Sequence, residues 1–270
     1  MESYLFIVRF DSVSRATGVR TGTSEERMKK MQEYDELTPE EIAANLKEVQ
    51  KNIEDACRRV GRDPSCVQIC AVSKLKSAAD MRAAMEAGQR LFGENYVQEI
   101  CAKYEELKDE CTIHMIGHLQ RNKVKYLTDK VQLIHSVDSL ELARQIEKEM
   151  GKVSRVMDVL LEVNVANEES KWGFAESEVM EAAKEIGALA HVRVRGLMTS
   201  APYTEDPESN RGYFRRLHDL FEEMKKSGLE GVLADTLSMG MTGDYVVAVE
   251  EGSTMVRVGT GIFGRRNYNR

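Results

Sequence analysis

The chain of 270 residues predicts an α/β fold, a (β/α)8 TIM barrel with an extra N-terminal helix, from three observations. From Val67 onward, eight short apolar stretches alternate with amphipathic ones. The first of them, Val67–Lys74, is apolar on both faces, as strands of parallel sheets are. Eight βα units in about 200 residues match the count and size of a closed barrel. A doubly wound open sheet is the alternative with the same alternation.

The first helix is legible before the first strand. Thr38 is a natural N-cap, Pro39 suits the first helical position, and Glu41 completes a capping box. Ile42, Leu46, Val49, Ile53, Ala56 and Val60 then recur at helical spacing and form one apolar stripe. Gly61 ends the helix, and the turn Asp63-Pro64-Ser65 leads into the first strand. The later strands are predicted at Arg90–Glu94, Ile113–Gly117, Leu133–Val137, Val156–Asn164, Val192–Ser200, Ala234–Gly240 and Met255–Phe263. Helices fall between them at Ala78–Ala87, Tyr96–Leu107, Gln120–Leu127, Leu140–Met150, Ala175–Ala190, Ser209–Lys226 and Tyr245–Glu251. Gly88, Gly151, Gly228 and Gly252 are expected as C-caps.

No linker or repeat divides residues 37–270, which form a single domain on this reading. Residues 1–36 show no sustained periodicity and are expected to be a flexible extension. Arg9, Arg15 and Arg20 give it a weak resemblance to a targeting segment, and Met28 and Met31 leave room for a later start.

Composition excludes several functions. A net charge of −7 without a strongly basic stretch argues against a nucleic-acid partner. No apolar run is long enough to cross a membrane. Cys57, Cys66, Cys70, Cys101 and Cys111 are an odd number and suit reduced thiols of a cytoplasmic protein. The five histidines form no metal-binding cluster, so no metal is expected.

In a barrel the functional residues lie at the C-terminal ends of the strands. Those ends offer Ser73 and Lys74, Glu94 and Asn95, His118, Glu162 and Asn164, Thr199 and Ser200, Ser238 to Gly240, and Arg257 to Thr260. Lys74 is either a nucleophile held partly out of water or the point where a strand leaves the core. Gly240, Gly259 and Gly261, with Ser238 and Thr260, either cradle a phosphate or simply make tight turns. Strand eight places Thr254, Val256, Val258 and Thr260 on one face and Met255, Arg257 and Gly259 on the other. The valine face should pack on helices, which turns Arg257 into the barrel. Its acceptor there is either a cofactor or a carboxylate such as Glu162. Gly259–Gly264 matches G-x-G-x-x-G, but no acidic residue follows at the required distance, so dinucleotide binding is rejected. A lysine facing a phosphate cradle is what pyridoxal 5′-phosphate requires.

Five stretches carry a specific resemblance. They are Ala71–Lys74, Phe92–Glu99, His114–Lys123, Leu237–Met241 and Val256–Gly264. In this order they resemble the pyridoxal phosphate homeostasis proteins, from about Thr38 to Tyr268. The resemblance implies a fold-type III barrel like the N-terminal domain of alanine racemase. It implies a Schiff base at Lys74 and phosphate contacts from Ser238, Gly240, Gly259 and Thr260. It also implies ring contacts near Val72, Asn95, Ser200, Met239 and Arg257. Thr242-Gly243 departs from the family pattern, where a serine and a polar residue are expected.

Two functions follow. One is a monomeric carrier or regulator of the pyridoxal phosphate pool, without substantial turnover, that serves apo-enzymes as recipients. The other is a racemase-like enzyme, which normally adds a β-domain and a tyrosine from a partner subunit. The sequence leaves no room for such a domain after its last motif, which favours the carrier. A chain beginning at Met31 is expected to keep its thermal midpoint and its cofactor; a clear loss of either would show that the extension supports the barrel.

Overall fold

The computed structural model describes residues 37–168 and 171–264. The predicted extension at residues 1–36 and the pair Arg265-Arg266 lie outside the described residues. Helix α1, Pro39–Arg59, opens the barrel domain. Its capping box is formed: the Thr38 N–H donates to Glu41 Oε2 at 2.7 Å, and the Glu41 N–H donates to Thr38 Oγ1 at 3.3 Å. Ile42, Leu46, Val49, Ile53 and Ala56 are buried as the stripe predicts, whereas Val60 lies past the last helical residue and is exposed.

Eight parallel strands follow and close on themselves in chain order. They are β1 (Gln68–Val72), β2 (Leu91–Glu94), β3 (Thr112–Met115), β4 (Leu133–Val137), β5 (Met157–Glu162), β6 (Val192–Met198), β7 (Val232–Met241) and β8 (Met255–Val258). The closing seam pairs Gln68 with Met255 and Ala71 with Val258. The connecting helices are α2 (Ala78–Glu86), α3 (Val97–Leu107), α4 (Leu140–Lys152), α5 (Val179–Gly187), α6 (Arg211–Ser227), α7 (Tyr245–Glu250) and α8 (Thr260–Phe263). The closed barrel answers the choice between barrel and open sheet.

Several boundaries differ from the sequence reading. Most strands end two or more residues early, so Lys74, Gly117, Asn164 and Ser200 stand in the loops beyond them. Strand eight stops at Val258, and the chain turns at once into the single-turn helix α8. The helix expected over Gln120–Leu127 is a 3-10 turn, Arg121–Tyr126. Only Val124 of its six residues is buried, whereas the equally short α7 buries four, so packing does little to hold this segment as an α-helix. Gly88, Gly228 and Gly252 take the positive φ of a C-cap, but Gly151 lies inside α4.

The apolar core lies between the sheet and the surrounding helices. One part joins β3 to β7 with α3 to α6; the other joins β1 and β8 with α1, α2, α7 and α8. Val256 and Val258 belong to the second part, as the alternation along β8 requires. Each large aliphatic side chain buried there stabilises the fold by about 1.5–3 kcal/mol relative to exposure. Inside the barrel, Leu133, Leu160 and Met198 form a separate small apolar cluster. Toward the N-terminal strand ends, Asp158 binds Arg193 and Arg195 at 2.6 Å each, and Arg195 also reaches Asp235 at 2.6 Å. Charged pairs thus close one end of the barrel and leave the other for chemistry.

Gly196 tests the sheet's tightest approach. It has φ +143°, and a Cβ there would lie 2.0 Å from the Thr236 carbonyl oxygen of β7. Gly196→Ala must part β6 from β7 and is expected to remove about 3 kcal/mol or more of stability, read from urea unfolding. A midpoint equal to that of the parent chain would contradict this packing.

Candidate functional site

The C-terminal end of the barrel opens into a cavity of about 620 Å³. Seven of the sequence-predicted residues line it: Val72, Lys74, Asn95, Ser200, Arg257, Gly259 and Thr260. They come from the ends of β1, β2, β6 and β8, far apart in sequence, and the closed sheet brings them together. Thr242 and Asp244 also line the cavity and were missed by the sequence reading.

Lys74 is half-buried at the edge of this cavity, two residues past β1. Both of its chain neighbours are tied down. Ser73 is fully buried, and its hydroxyl donates to Glu94 Oε1 at 2.6 Å. Lys103 of α3 donates to the Ser73 carbonyl at 2.8 Å, to Glu94 Oε1 at 2.8 Å and to Glu99 Oε2 at 3.0 Å. Glu99 Oε2 also accepts the Leu75 N–H at 2.8 Å. Leu75 needs that bond, because its φ of +61° lies in the left-handed region that a leucine seldom adopts. One residue further, Lys76 Nζ donates to the Phe263 carbonyl of α8 at 2.5 Å. The loop that presents Lys74 is therefore fastened on both sides. Burial pushes the Glu94 carboxyl up, against the opposing pull of Lys103, and Glu94 Oε2 has no hydrogen-bond partner among the described residues. The i,i+4 spacing of Glu99 and Lys103 was the available sequence signal for this network.

Arg257 of β8, the strand paired with β1, also lines the cavity and is 4% exposed. It donates to the Ser238 carbonyl at 2.9 Å, to the Ser238 hydroxyl at 2.7 Å and to the Thr199 carbonyl at 2.7 Å. No carboxylate lies within ion-pair distance of it among the described residues, so Glu162 is not its structural partner. Burial lowers its pKa, although it remains a cation. A buried guanidinium held only by neutral acceptors retains electrostatic demand for an electron-rich group.

The turn after β8 supplies donors. The N–H groups of Gly259 and Gly261 both point at Thr242 Oγ1, at 3.3 and 3.2 Å. A Cβ at Gly261 would come within 3.1 Å of Thr242 Cγ2 and 3.0 Å of Val258 Cγ1. Glycine therefore keeps this turn close to Thr242. Two backbone donors converging on one oxygen at the cavity wall are a donor set suited to an anionic oxygen.

Three predicted residues do not line the cavity. Ser238 is fully buried, with its hydroxyl turned to Arg257 and His135. Met239 packs in the outer core. Gly240, with φ +91°, backs onto α7, where a Cβ would lie 2.6 Å from Ala248 Cβ. Alternation along β7 parts Ser238 from Met239, and the register shift with the positive φ of Gly240 turns that residue outward. His118 lines a neighbouring cavity instead, stacked on Trp172 at 4.1 Å and 3.0 Å from Asp138.

Against this geometry, the comparisons with known proteins are direct. The family model described as "Alanine racemase, N-terminal domain" matches residues 44–267. The fold agrees: an alanine racemase of Clostridium difficile aligns with a TM-score of 0.65 at 14% identity, covering 85% of this chain and 58% of that one. The chain is thus a lysine-bearing barrel of the alanine racemase N-terminal class. A pyridoxal phosphate homeostasis protein of Aquifex aeolicus is 45% identical over 224 residues, 83% of this chain and 97% of that protein. The Escherichia coli protein of the same name is 36% identical, over 85% of this chain and 99% of its own. The chain belongs to the family of pyridoxal phosphate homeostasis proteins. PipY of Synechococcus elongatus, solved with PLP bound, aligns with a TM-score of 0.71 at 35% identity, covering 83% of this chain and all of PipY.

Glu162 lies at the end of β5, and its carboxyl is pushed up to about 7. Burial is the main cause, and the Asp138 charge adds to it; Arg257 and Lys171 oppose. The folded state thus holds this proton to higher pH than the unfolded chain, whose value is near 4.5. The group's stabilisation is present at low pH and is lost as pH rises through about 7. Glu162→Gln should remove this dependence, gaining up to about 3 kcal/mol on its parent between low and neutral pH. Parallel stability curves for the two chains across that range would contradict the assignment.

Proposed function

We propose that this protein binds pyridoxal 5′-phosphate and carries it within the cellular pool, handing it to apo-enzymes as a monomer. The observation that carries the proposal is Arg257, a buried cation without a carboxylate, on the wall of the cavity that Lys74 also lines. The residues fit the cofactor. The Lys74 amine condenses with its aldehyde, with loss of water, to form a Schiff base. Gly259, Gly261, Thr260 and Thr242 receive its phosphate through N–H and hydroxyl donors. Arg257 donates to its ring nitrogen, and Val72, Asn95 and Ser200 flank the ring. Ser238 acts indirectly, by holding Arg257. The PLP-bound structure of PipY and the names of the curated relatives support this reading.

A racemase-like activity is the second reading, because the fold is shared with alanine racemase. Racemisation needs an acid or base on each face of the reacting carbon. Apart from Lys74, the cavity offers Tyr203 and Asp244 as proton carriers. Tyr203 is 94% exposed, so packing does not fix it. Asp244 is engaged by the Met241 N–H at 2.6 Å and by Asn210 at 2.8 Å. This favours the carrier. An arginine at the ring nitrogen also keeps that nitrogen unprotonated and weakens the ring as an electron sink.

Borohydride treatment of the loaded protein should fix the cofactor on the peptide containing Lys74, and Lys74→Ala should abolish the label. A label on Lys76 or Lys123 would refute the assignment. The loaded protein should restore activity to an apo-enzyme and racemise amino acids far more slowly than about 1 s⁻¹, the low end of ordinary turnover. Faster turnover would establish the enzyme instead.

A further inference from the structure

The barrel interior contains two histidines that are not among the residues lining the candidate site. His135 of β4 is fully buried, and His114 of the neighbouring β3 is 6% exposed. His114 Nδ1 lies 3.0 Å from His135 Nε2, and His135 Nδ1 lies 3.1 Å from the Ser238 hydroxyl. That hydroxyl is 2.7 Å from Arg257 Nη1. Four side chains from β3, β4, β7 and β8 therefore form one hydrogen-bonded chain across the barrel.

The chain has a direction. Arginine can only donate, so Ser238 Oγ accepts from Arg257. The Ser238 proton must then be given elsewhere. Among the described residues the hydroxyl's other partner is His135 Nδ1, which therefore accepts it. Both imidazoles are neutral. Burial lowers His114 to about 3, with Asp158 opposing and Arg195 adding. Burial also holds His135 well below the usual range, and a proton there would be opposed by a protonated His114 and by the Arg257 cation. A neutral His135 accepting at Nδ1 carries its proton on Nε2 and donates it to His114 Nδ1. The reverse order would leave the Ser238 proton without an acceptor inside the barrel, at a cost.

We propose that His135, backed by His114, is a positioning residue for Arg257. It fixes the Ser238 hydroxyl so that its lone pair meets the guanidinium, and thereby sets the guanidinium against the cavity. The inference rests on the proposed placement of the cofactor's ring nitrogen at Arg257. It assigns a role to two buried residues that do not touch the cavity.

The test compares pyridoxal 5′-phosphate with its 1-deaza analogue, in which carbon replaces the ring nitrogen. Dissociation constants for both are measured by equilibrium dialysis on the full chain. The parent protein should prefer the natural cofactor by about tenfold or more, the worth of one hydrogen bond from a charged donor. In His135→Phe the preference should fall to within about twofold, while the analogue binds as it does to the parent. His135→Gln should restore the preference, because its amide oxygen accepts from Ser238 and its NH₂ donates to His114. A preference retained in His135→Phe would overturn the proposal. So would an equal loss of both ligands with a normal circular dichroism spectrum, since that marks general support of the barrel. If the Phe variant does not fold, Ser238→Ala is read in the same way against His135→Gln. No preference in the parent protein would instead refute Arg257 as the partner of the ring nitrogen, and this inference with it.

Discussion

A positive charge sealed inside the barrel sets the terms for everything around it. Arg257 donates to two carbonyl oxygens and one hydroxyl, and among the described residues no carboxylate stands within ion-pair distance, although the charges of Glu162 and Asp244 act on it from further away. Such a group is costly to bury, and neutral dipoles compensate it only in part. The surrounding strands must therefore hold their carbonyls in fixed places. Ser238 O accepts from Arg257 and from the Thr199 N–H at 3.1 Å, and Thr199 Oγ1 is itself bonded to the Val163 carbonyl at 2.7 Å. Packing of β5, β6 and β7 is thus linked to the geometry of one guanidinium. A carboxylate partner would have neutralised the cation and removed its capacity to bind an electron-rich ligand atom.

Lys74 is held by a different device. Its neighbours are fixed from the helix side of the sheet by Glu94, Glu99 and Lys103, while its own side chain lies on the cavity side. The two networks lie on opposite faces of the barrel wall. This separation fixes the lysine loop from the helix side while the cavity side stays lined by Lys74 itself.

The sequence revealed most of the fold because the governing signals are local. The capping box at Thr38, the stripe from Ile42 to Ala56 and the valines of β8 each declare themselves within a few residues. The strand-end rule named Lys74, Asn95, Ser200, Arg257, Gly259 and Thr260, and the resemblance added Val72; all seven line one cavity. What stayed hidden depends on contacts across the closed sheet. His114 and His135 are separated by 21 residues, and His135 and Ser238 by 103, so no spacing rule joins them. Ser238, Met239 and Gly240 read as one rim, yet Ser238 turns inward, Met239 enters the outer core, and the positive φ of Gly240, where the register of β7 shifts, turns it onto α7. Gln120–Leu127 reads as a helix from its pattern alone, and its single buried residue leaves packing too little to hold one.

Thr242 gives the cavity an unusual property. Its hydroxyl oxygen already stands between the N–H groups of Gly259 and Gly261. An anion that comes to these donors displaces a protein oxygen rather than bulk water alone. When it departs, the same oxygen is at hand to take the donors back. Arrival and departure then become a swap between acceptors, with neither end state leaving bare dipoles in a partly buried site. Such a swap flattens the barrier to exchange without requiring weak contacts in the bound state. In a protein that must both keep a ligand and give it up, residence time and affinity can then be set by different groups.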